Sequence, residues 1–387
     1  MAKKKSSTST VKAESIVAPV ETTNKNLIYA MLLCIAATCL VYIGALQCGF
    51  VNYDDELYIK NNILLHSLSG SNLYTIFFTS KGIYGGNYHP LVTLTNAIEY
   101  QLVGYEPFLY HLVNILLHLA NTALVFLLVN TITNKNIFVS TFVALFFGIH
   151  PMHVESVVWI SERKDVLYAF FYLLYVLFYL RYEQENKKSM YLVSILCFVL
   201  SLMSKSMAVT LPLILFAIHY YKKENIEKSF FIKTIPFWLL SLGTGLLAIY
   251  SQKMQGYIGA YDFSMVDKFF MASYSWAYYI KQLFVPMHMS VLHPFPQNGL
   301  DSIFYISPLV WIGFVFLLYK FPSYRKLVLF GLLFYTFSIV VVLQFIAVGA
   351  AVVSERYTYL AYIGLFFILA VWLEKYWQSK RNVVLSL

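Results

Sequence analysis

The chain has 387 residues, of which 59% are hydrophobic and only 12% charged, and it carries a formal net charge of +9. Its many apolar runs reach the ~20 residues that cross a hydrocarbon core of ~30 Å, which excludes a soluble globular domain; being apolar on every face, they also disfavour a β-barrel, whose strands alternate. Nor is the positive charge a nucleic-acid patch, because it concentrates in short loops and at the termini, in Lys3-Lys4-Lys5, Lys187-Lys188, Lys222-Lys223-Lys228, Lys320-Arg325-Lys326 and Lys375-Lys380-Arg381, the positive-inside signature of an all-α polytopic membrane protein.

In chain order, residues 1–26 are rich in Lys, Ser and Thr and are expected to form a disordered cytoplasmic tail. The next apolar run is too long for a removable signal peptide and lacks a small-residue cleavage site near its end. With the N-terminus inside, crossings are expected at about 27–48, 108–131, 136–150, 164–182, 189–204, 206–221, 230–251, 303–320, 326–346 and 356–377, which places every internal basic loop on the cytoplasmic side. Residues 267–285 are apolar but include Lys268, Ser273, Ser275, Lys281 and Gln282, and read as an interfacial or partly inserted helix. The expected fold is therefore a bundle of about 10–12 transmembrane helices.

The first outer loop, 49–107, should hold short surface helices, since Leu91, Leu94, Ile98 and Leu102 recur at helical spacing. A boundary near residue 251 separates a core module, 27–251, from a C-terminal transmembrane module, 252–377, with a cytoplasmic tail at 378–387. No period of 20 to 50 residues recurs, so the chain is not a repeat array. Cys34, Cys39, Cys48 and Cys197 lie in or beside apolar segments without metal-ligand spacing and read as packing residues.

Five separated outer loops collect the unusual polar residues. Asp54 and Asp55 leave the first span directly; they either cap a surface helix or supply a general base or metal ligand at the water–lipid boundary. In His150-Pro151-Met152-His153-Val154-Glu155, two imidazoles and a carboxylate lie within six residues. That series fits hydrogen bonding to a sugar, a structural elbow or, less well given Pro151 and the spacing, a divalent metal. Ser161-Glu162-Arg163-Lys164-Asp165 places four ionisable residues before an apolar run, where charges are costly unless paired. Glu162–Arg163 or Arg163–Asp165 pairing would merely stabilise the helix start. Lys205 and Arg356, isolated between spans, are candidates for an anionic group such as a lipid-carrier phosphate, and Lys205 alternatively snorkels to the interface.

These motifs occur in a telling order: Phe50-Val51-Asn52-Tyr53-Asp54-Asp55, Tyr88-His89-Pro90-Leu91, His111-Leu112-Val113-Asn114, His150-Pro151-Met152-His153-Val154-Glu155, Glu162-Arg163-Lys164-Asp165, Ser204-Lys205 and Glu355-Arg356-Tyr357-Thr358-Tyr359-Leu360. Over roughly residues 27–377 the series resembles the membrane part of the transmembrane and tetratricopeptide-repeat proteins and their bacterial relatives, within the GT-C class of glycosyltransferases. The resemblance implies a GT-C-like bundle whose active site faces away from the cytoplasm. It also implies a sugar donor carried on polyprenyl or dolichyl phosphate, with mannose transferred to Ser or Thr hydroxyls in the protein-modifying members. Carried over by motif, Asp55 becomes the candidate base with Asp54 beside it. Arg356, Lys205 and Arg163 become candidates for the donor phosphate. His89, His150, His153, Glu155, Glu162 and Asp165 become candidates for acceptor or sugar contacts, with no metal assigned. Relatives continue into outer-side repeats, whereas this sequence ends at Leu387 after a basic stretch. The expected partners are membrane lipids, the lipid-linked donor and a protein or glycan acceptor, in a bacterial plasma membrane with the site on the periplasmic or extracellular side. A lipid or sugar transporter and a non-catalytic scaffold are the rival readings; the first would want polar residues within the spans and an inverted repeat, neither of which is conspicuous.

Overall fold

Long apolar runs leave the backbone no partner but itself, so each of them closes its hydrogen bonds as a helix. The computed structural model describes residues 24–223, 226–258, 263–297, 299–345 and 351–385. Its helices are α1 (Asn24–Tyr42), α2 (Gly70–Phe78), α3 (Pro90–Val103), α4 (Pro107–Ile132), α5 (Ile137–Ile149), α6 (Val154–Val158), α7 (Arg163–Glu185) and α8 (Lys188–Ser204). They continue as α9 (Leu211–Lys222), α10 (Lys228–Met254), α11 (Met265–Phe284), α12 (Ser302–Ile306), α13 (Leu309–Lys320), α14 (Arg325–Ile339) and α15 (Tyr362–Leu385). Two short strands, β1 (His293–Pro294) and β2 (Ala351–Val353), pair antiparallel with His293 opposite Val353. The expected tails fall outside the described residues, except that 24–26 open α1 and 378–385 continue α15.

Each of the ten expected crossings falls on a helix, and together they form the expected all-α bundle of a multi-pass membrane protein. Among the described residues, six segments are long and apolar enough to cross a membrane, and the pair 137–149 with 151–158, bent by 57°, makes a seventh if counted as one. The remaining three are marginal for physical reasons: α8 has 17 residues, α9 has 12, and α15 carries Glu374 and Lys375 along its length. Residues 267–284 of the expected stretch belong to α11, with Val285 as its C-terminal cap, and the helix start is fixed by a reciprocal cap between Ser264 and Asp267. One face of α11 buries Trp276, Tyr279 and Gln282 while Met265, Val266 and Phe269 stay exposed, the two-faced character expected of a helix that does not cross alone.

Two features show how the bundle closes. Gly331 on α14 and Gly364 on α15 face one another so closely that a Cβ on either would come within 2.5 Å of the other's carbonyl oxygen, so only glycine permits this crossing. On α4, a buried polar stripe serves backbone that the helix breaks leave exposed. His118 bonds the Gly148 carbonyl at 3.0 Å and the Tyr359 hydroxyl at 2.7 Å, while Asn114 donates to the Trp159 carbonyl and Asn121 to that of Val166. Irregular backbone inside an apolar bundle survives only with such donors.

The first loop has its own small core of Ile59, Leu65, Ala97, Tyr110 and Ile160. Across it lies α3, started by Pro90 at its first position and ended at Gly104 with φ +61°. Its burial runs against a soluble helix: Thr93, Asn96 and Glu99 face inward, while Ile98 and Leu102 of the apolar stripe are 43% and 70% exposed. Its polar side is kept for the protein and apolar side chains are left on the outside, the arrangement an interfacial helix requires.

Candidate active site

The loop end of the bundle brings all five polar loops together. The bend after α5 places Pro151–His153 and α6 against the turn Glu355–Thr358, and a 3-10 turn at Ile160–Glu162 leads into α7. Successive residues entering a helix point about 100° apart, so neighbours in sequence cannot share a partner. Neither Glu162–Arg163 nor Arg163–Asp165 pairing accordingly forms: Arg163 and Asp165 reach other elements, while Lys164 pairs inside the block with Glu162, two residues before it.

Arg163 points toward the first loop. It holds Glu99 with two bonds of 2.6 and 3.2 Å, the Tyr110 carbonyl at 2.9 Å and the Asn114 side-chain oxygen. The side chain is fully buried and four hydrogen bonds occupy it, which fits it to hold α3 and α4 on α7 and leaves little to offer a phosphate. Asp165 turns to Lys205 and also accepts from the Ser156 hydroxyl at 2.9 Å. Lys164 reaches Glu162 at 3.0 Å and Asp54 at 3.4 Å. Arg356 binds Glu155 through both its side chain and its backbone N–H, and its Nε lies 3.4 Å from Glu162. The guanidinium also sits over Trp159 and Tyr357. Glu162 thus lies between two cations, both on Oε1, and its other oxygen, Oε2, has no hydrogen-bond partner among the described residues.

Beside this cluster opens a cavity of about 680 Å³. Phe50, Val51, Pro151, Val154, Trp159 and Met289 make its walls mostly apolar, and Asp55, His111, Glu155 and Glu355 supply ionisable groups. Asp55 is buried, and its two oxygens accept from the backbone N–H groups of Val51 at 3.0 Å and Ser161 at 2.9 Å. Those bonds aim the carboxylate and leave it lone pairs for a further donor. Asp54 is far more exposed and turns away to Lys164, so the adjacent pair divides into one buried and one half-exposed group.

The histidines separate in the same way. His150 accepts from Met152 N and lies 3.2 Å from the Leu283 carbonyl through its other nitrogen, while His153 bonds the Phe147 carbonyl at 2.8 Å and packs among Phe147, Tyr359 and Tyr362. Both hold the bend after α5, which is the structural elbow rather than a contact to the cavity. His89 is buried with Nε2 unpartnered among the described residues. Burial first, and then the charges of Lys164 and Lys205, push its imidazole down to about 3, so it stays neutral.

Three participants receive no role from the motif reading. Lys164 belongs to the charged block but joins Glu162 to Asp54, and Trp159 lies under Arg356. Glu355 lines the cavity and is held by His293, 62 residues away in sequence. Alternation of charge marks the first of these; nothing local marks the last. Among the described residues no group of three or more His, Cys, Asp or Glu side chains is arranged to hold a metal ion.

No family model matches the chain, and no solved structure matches it. Among curated proteins, protein O-mannosyl-transferase TMTC2 of Homo sapiens is 30% identical over 227 residues, 52% of this chain. This chain is similar to the protein O-mannosyl-transferases. TMTC1 of Homo sapiens is 35% identical over 151 residues, 38% of the chain, and Tmtc1 of Drosophila melanogaster 30% identical over 181 residues, 46% of it. The likeness expected from the motif order therefore holds. The matched stretches make up 27%, 17% and 21% of those three proteins, so the chain spans about a quarter of their length or less.

Proposed function

We propose that this chain is a membrane glycosyltransferase of the GT-C class that moves a sugar, mannose first among the candidates, from a polyprenyl-phosphate carrier to the hydroxyl of an acceptor, a protein Ser or Thr. The observation that carries this reading is the buried Asp55 carboxylate on the wall of an apolar cavity with Lys164, Lys205 and Arg356 grouped behind it. Similarity to proteins named as O-mannosyl-transferases supports the same chemistry. The core module 27–251 would supply Asp55 and the two lysines, and the module 252–377 would supply Arg356. On this reading the site faces the outer side of a bacterial plasma membrane.

In the reaction, Asp55 takes the proton of the acceptor hydroxyl as its oxygen attacks the anomeric carbon. The bond from that carbon to the phosphate oxygen breaks, and the electron pair leaves with the carrier phosphate. A phosphate departs already ionised, so no strong general acid is needed, and a single displacement inverts the anomeric centre. Arg356, Lys205 and Lys164 offset the charge that grows on the leaving oxygen. Each is already paired with a carboxylate, so the phosphate joins a balanced cluster and competes with Glu162 and Asp165 for the same cations. An apolar cavity wall suits the first isoprene units of the carrier.

The test is release of polyprenyl phosphate from polyprenyl-phosphate-mannose by purified protein in lipid, with a Ser/Thr-rich peptide present. Wild type should release it, and Asp55→Asn should lower the rate by roughly 10²–10⁴-fold, the span expected for a positioned base, with an unchanged gel-filtration profile. Full activity in a well-folded Asp55→Asn protein would refute the assignment of the base.

A further inference from the structure

Glu355 opens the 3-10 turn before α15, immediately beyond β2, and the pairing of β2 with β1 lays the segment 288–294 against it. Its Oε1 accepts from His293 Nε2 at 2.8 Å, from the Ser290 backbone N–H at 3.1 Å and from the Tyr278 hydroxyl at 3.3 Å. Tyr278 in turn accepts from Gln282 at 2.7 Å, which frees its own proton for Glu355. One carboxylate oxygen is thus fixed by three donors drawn from two parts of the C-terminal module, α11 and the segment 288–294. Burial alone would raise the carboxyl's pKa, but the bonds from His293 and Ser290 outweigh it and hold the group below its ordinary range. It is ionised at neutral pH.

The other oxygen, Oε2, is buried and finds no hydrogen-bond partner among the described residues. A buried anionic oxygen without a donor pays its full desolvation cost, and such groups mark places where a ligand or water completes the structure. Of the remaining cavity carboxylates, Glu155 has a donor from Arg356 on each oxygen, and Asp55 has one backbone N–H on each, from Val51 and Ser161. Among the described lining residues there is no Lys or Arg, so the wall offers a surplus of acceptors and calls for a ligand that brings neutral donors. Hydroxyl groups of a sugar are such donors, whereas the carrier phosphate would have to meet the cations Arg356, Lys205 and Lys164 beyond that lining.

We infer that Glu355 Oε2 accepts a hydrogen bond from a ring hydroxyl of the sugar being transferred, in the cavity that Asp55 also lines, while His293, Tyr278 and the Ser290 N–H hold the carboxylate in place. This rests on the reading of the cavity as a sugar-donor site. The Glu355→Gln variant retains an oxygen for the three donors and turns the free acceptor into a donor.

The experiment measures binding of polyprenyl-phosphate-mannose and of bare polyprenyl phosphate to the full chain in lipid nanodiscs. Wild type should bind the mannosyl lipid more tightly than the bare one. Glu355→Gln should remove roughly tenfold to hundredfold of the mannosyl-lipid affinity, the size of a hydrogen bond to a charged group, and leave that for the bare lipid unchanged. Monodeoxy mannosyl donors give a second readout that needs only wild-type protein: one of them should lose a comparable factor, and that loss should vanish in Glu355→Gln. Equal affinity of wild type for every monodeoxy donor, or an undiminished sugar preference in folded Glu355→Gln, overturns the inference while lipid-phosphate release by wild type leaves the transfer reading standing. Absence of both sugar preference and release in wild type overturns the two together.

Discussion

Arg163 and Arg356 are both arginines beside a glutamate in sequence, both are largely buried, and they belong to opposite kinds of site. Around Arg163, the Glu99 carboxylate, the Asn114 amide and the Tyr110 carbonyl supply acceptors until almost no donor is left over. Around Arg356 the balance is reversed. Glu155 and Glu162 hold it, Lys164 shares Glu162, the Oε2 of Glu162 lacks a partner among the described residues, and a cavity lies alongside. A saturated buried pair fixes structure, whereas an incompletely satisfied one keeps capacity for a ligand. The difference lies in the count of donors against acceptors and not in the identity of the charges.

The largest expected effect comes from breaking the saturated side. Arg163→Ala strands Glu99 in the small core beneath the first loop, and loss of one partner of a buried pair costs about 3–5 kcal/mol. The expected outcome is protein that no longer purifies as a single species, while Arg163→Met with Glu99→Leu, which removes both charges, regains much of the loss. A melting temperature of Arg163→Ala equal to wild type would erase the distinction between the two arginines.

On the unsaturated side the effect should fall on turnover. Arg356→Lys keeps the charge but loses the planar fork that spans Glu155 and Glu162 and lies over Trp159. Release of carrier phosphate is expected to drop about tenfold to a hundredfold, with the melting temperature moving by only a few degrees. Loss of folding comparable to Arg163→Ala would show that Arg356 is a second structural clamp.

How much of this was legible in the sequence follows the range of each interaction. Apolar runs fix helices locally, so all ten expected crossings are helical, and charge bias along the chain anticipated that loops 49–107, 150–165, 204–206, 251–302 and 354–357 form one polar site. The partners inside that site were not legible. Neither expected pairing, Glu162–Arg163 or Arg163–Asp165, forms: Arg163 runs 64 residues back to Glu99 and Asp165 40 forward to Lys205, because helix geometry separates adjacent side chains, and the pair that does form inside the block is Lys164 with Glu162. For His150 and His153 the sequence leaves sugar contact and a structural elbow both open, and the structure places them at a bend, since Pro151 breaks the helix there and the freed backbone needs donors and acceptors. Glu355 was hidden because its meaning depends on a two-stranded pairing across 62 residues.

The smallest effect belongs to His89, which sits next to the charge cluster without joining it. Its imidazole faces the charges of Lys164, Lys205 and Glu162, and burial with the two lysines holds its pKa at about 3 against an ordinary value of 6.5. A proton therefore binds the unfolded chain at 6.5 and the folded protein only near 3. The stability it contributes is complete above 6.5 and declines as the pH falls between those values, by at most about 1.4 kcal/mol per pH unit. His89→Gln removes that titration while keeping a buried polar side chain. Thermal melting in nanodiscs between pH 7.5 and pH ~4 should then show a shallower acid slope for His89→Gln than for wild type. Superimposable slopes would mean that the imidazole takes up its proton in the folded state, pairing with Glu162 in competition with Lys164, and His89 would move from the edge of the unsaturated cluster into it.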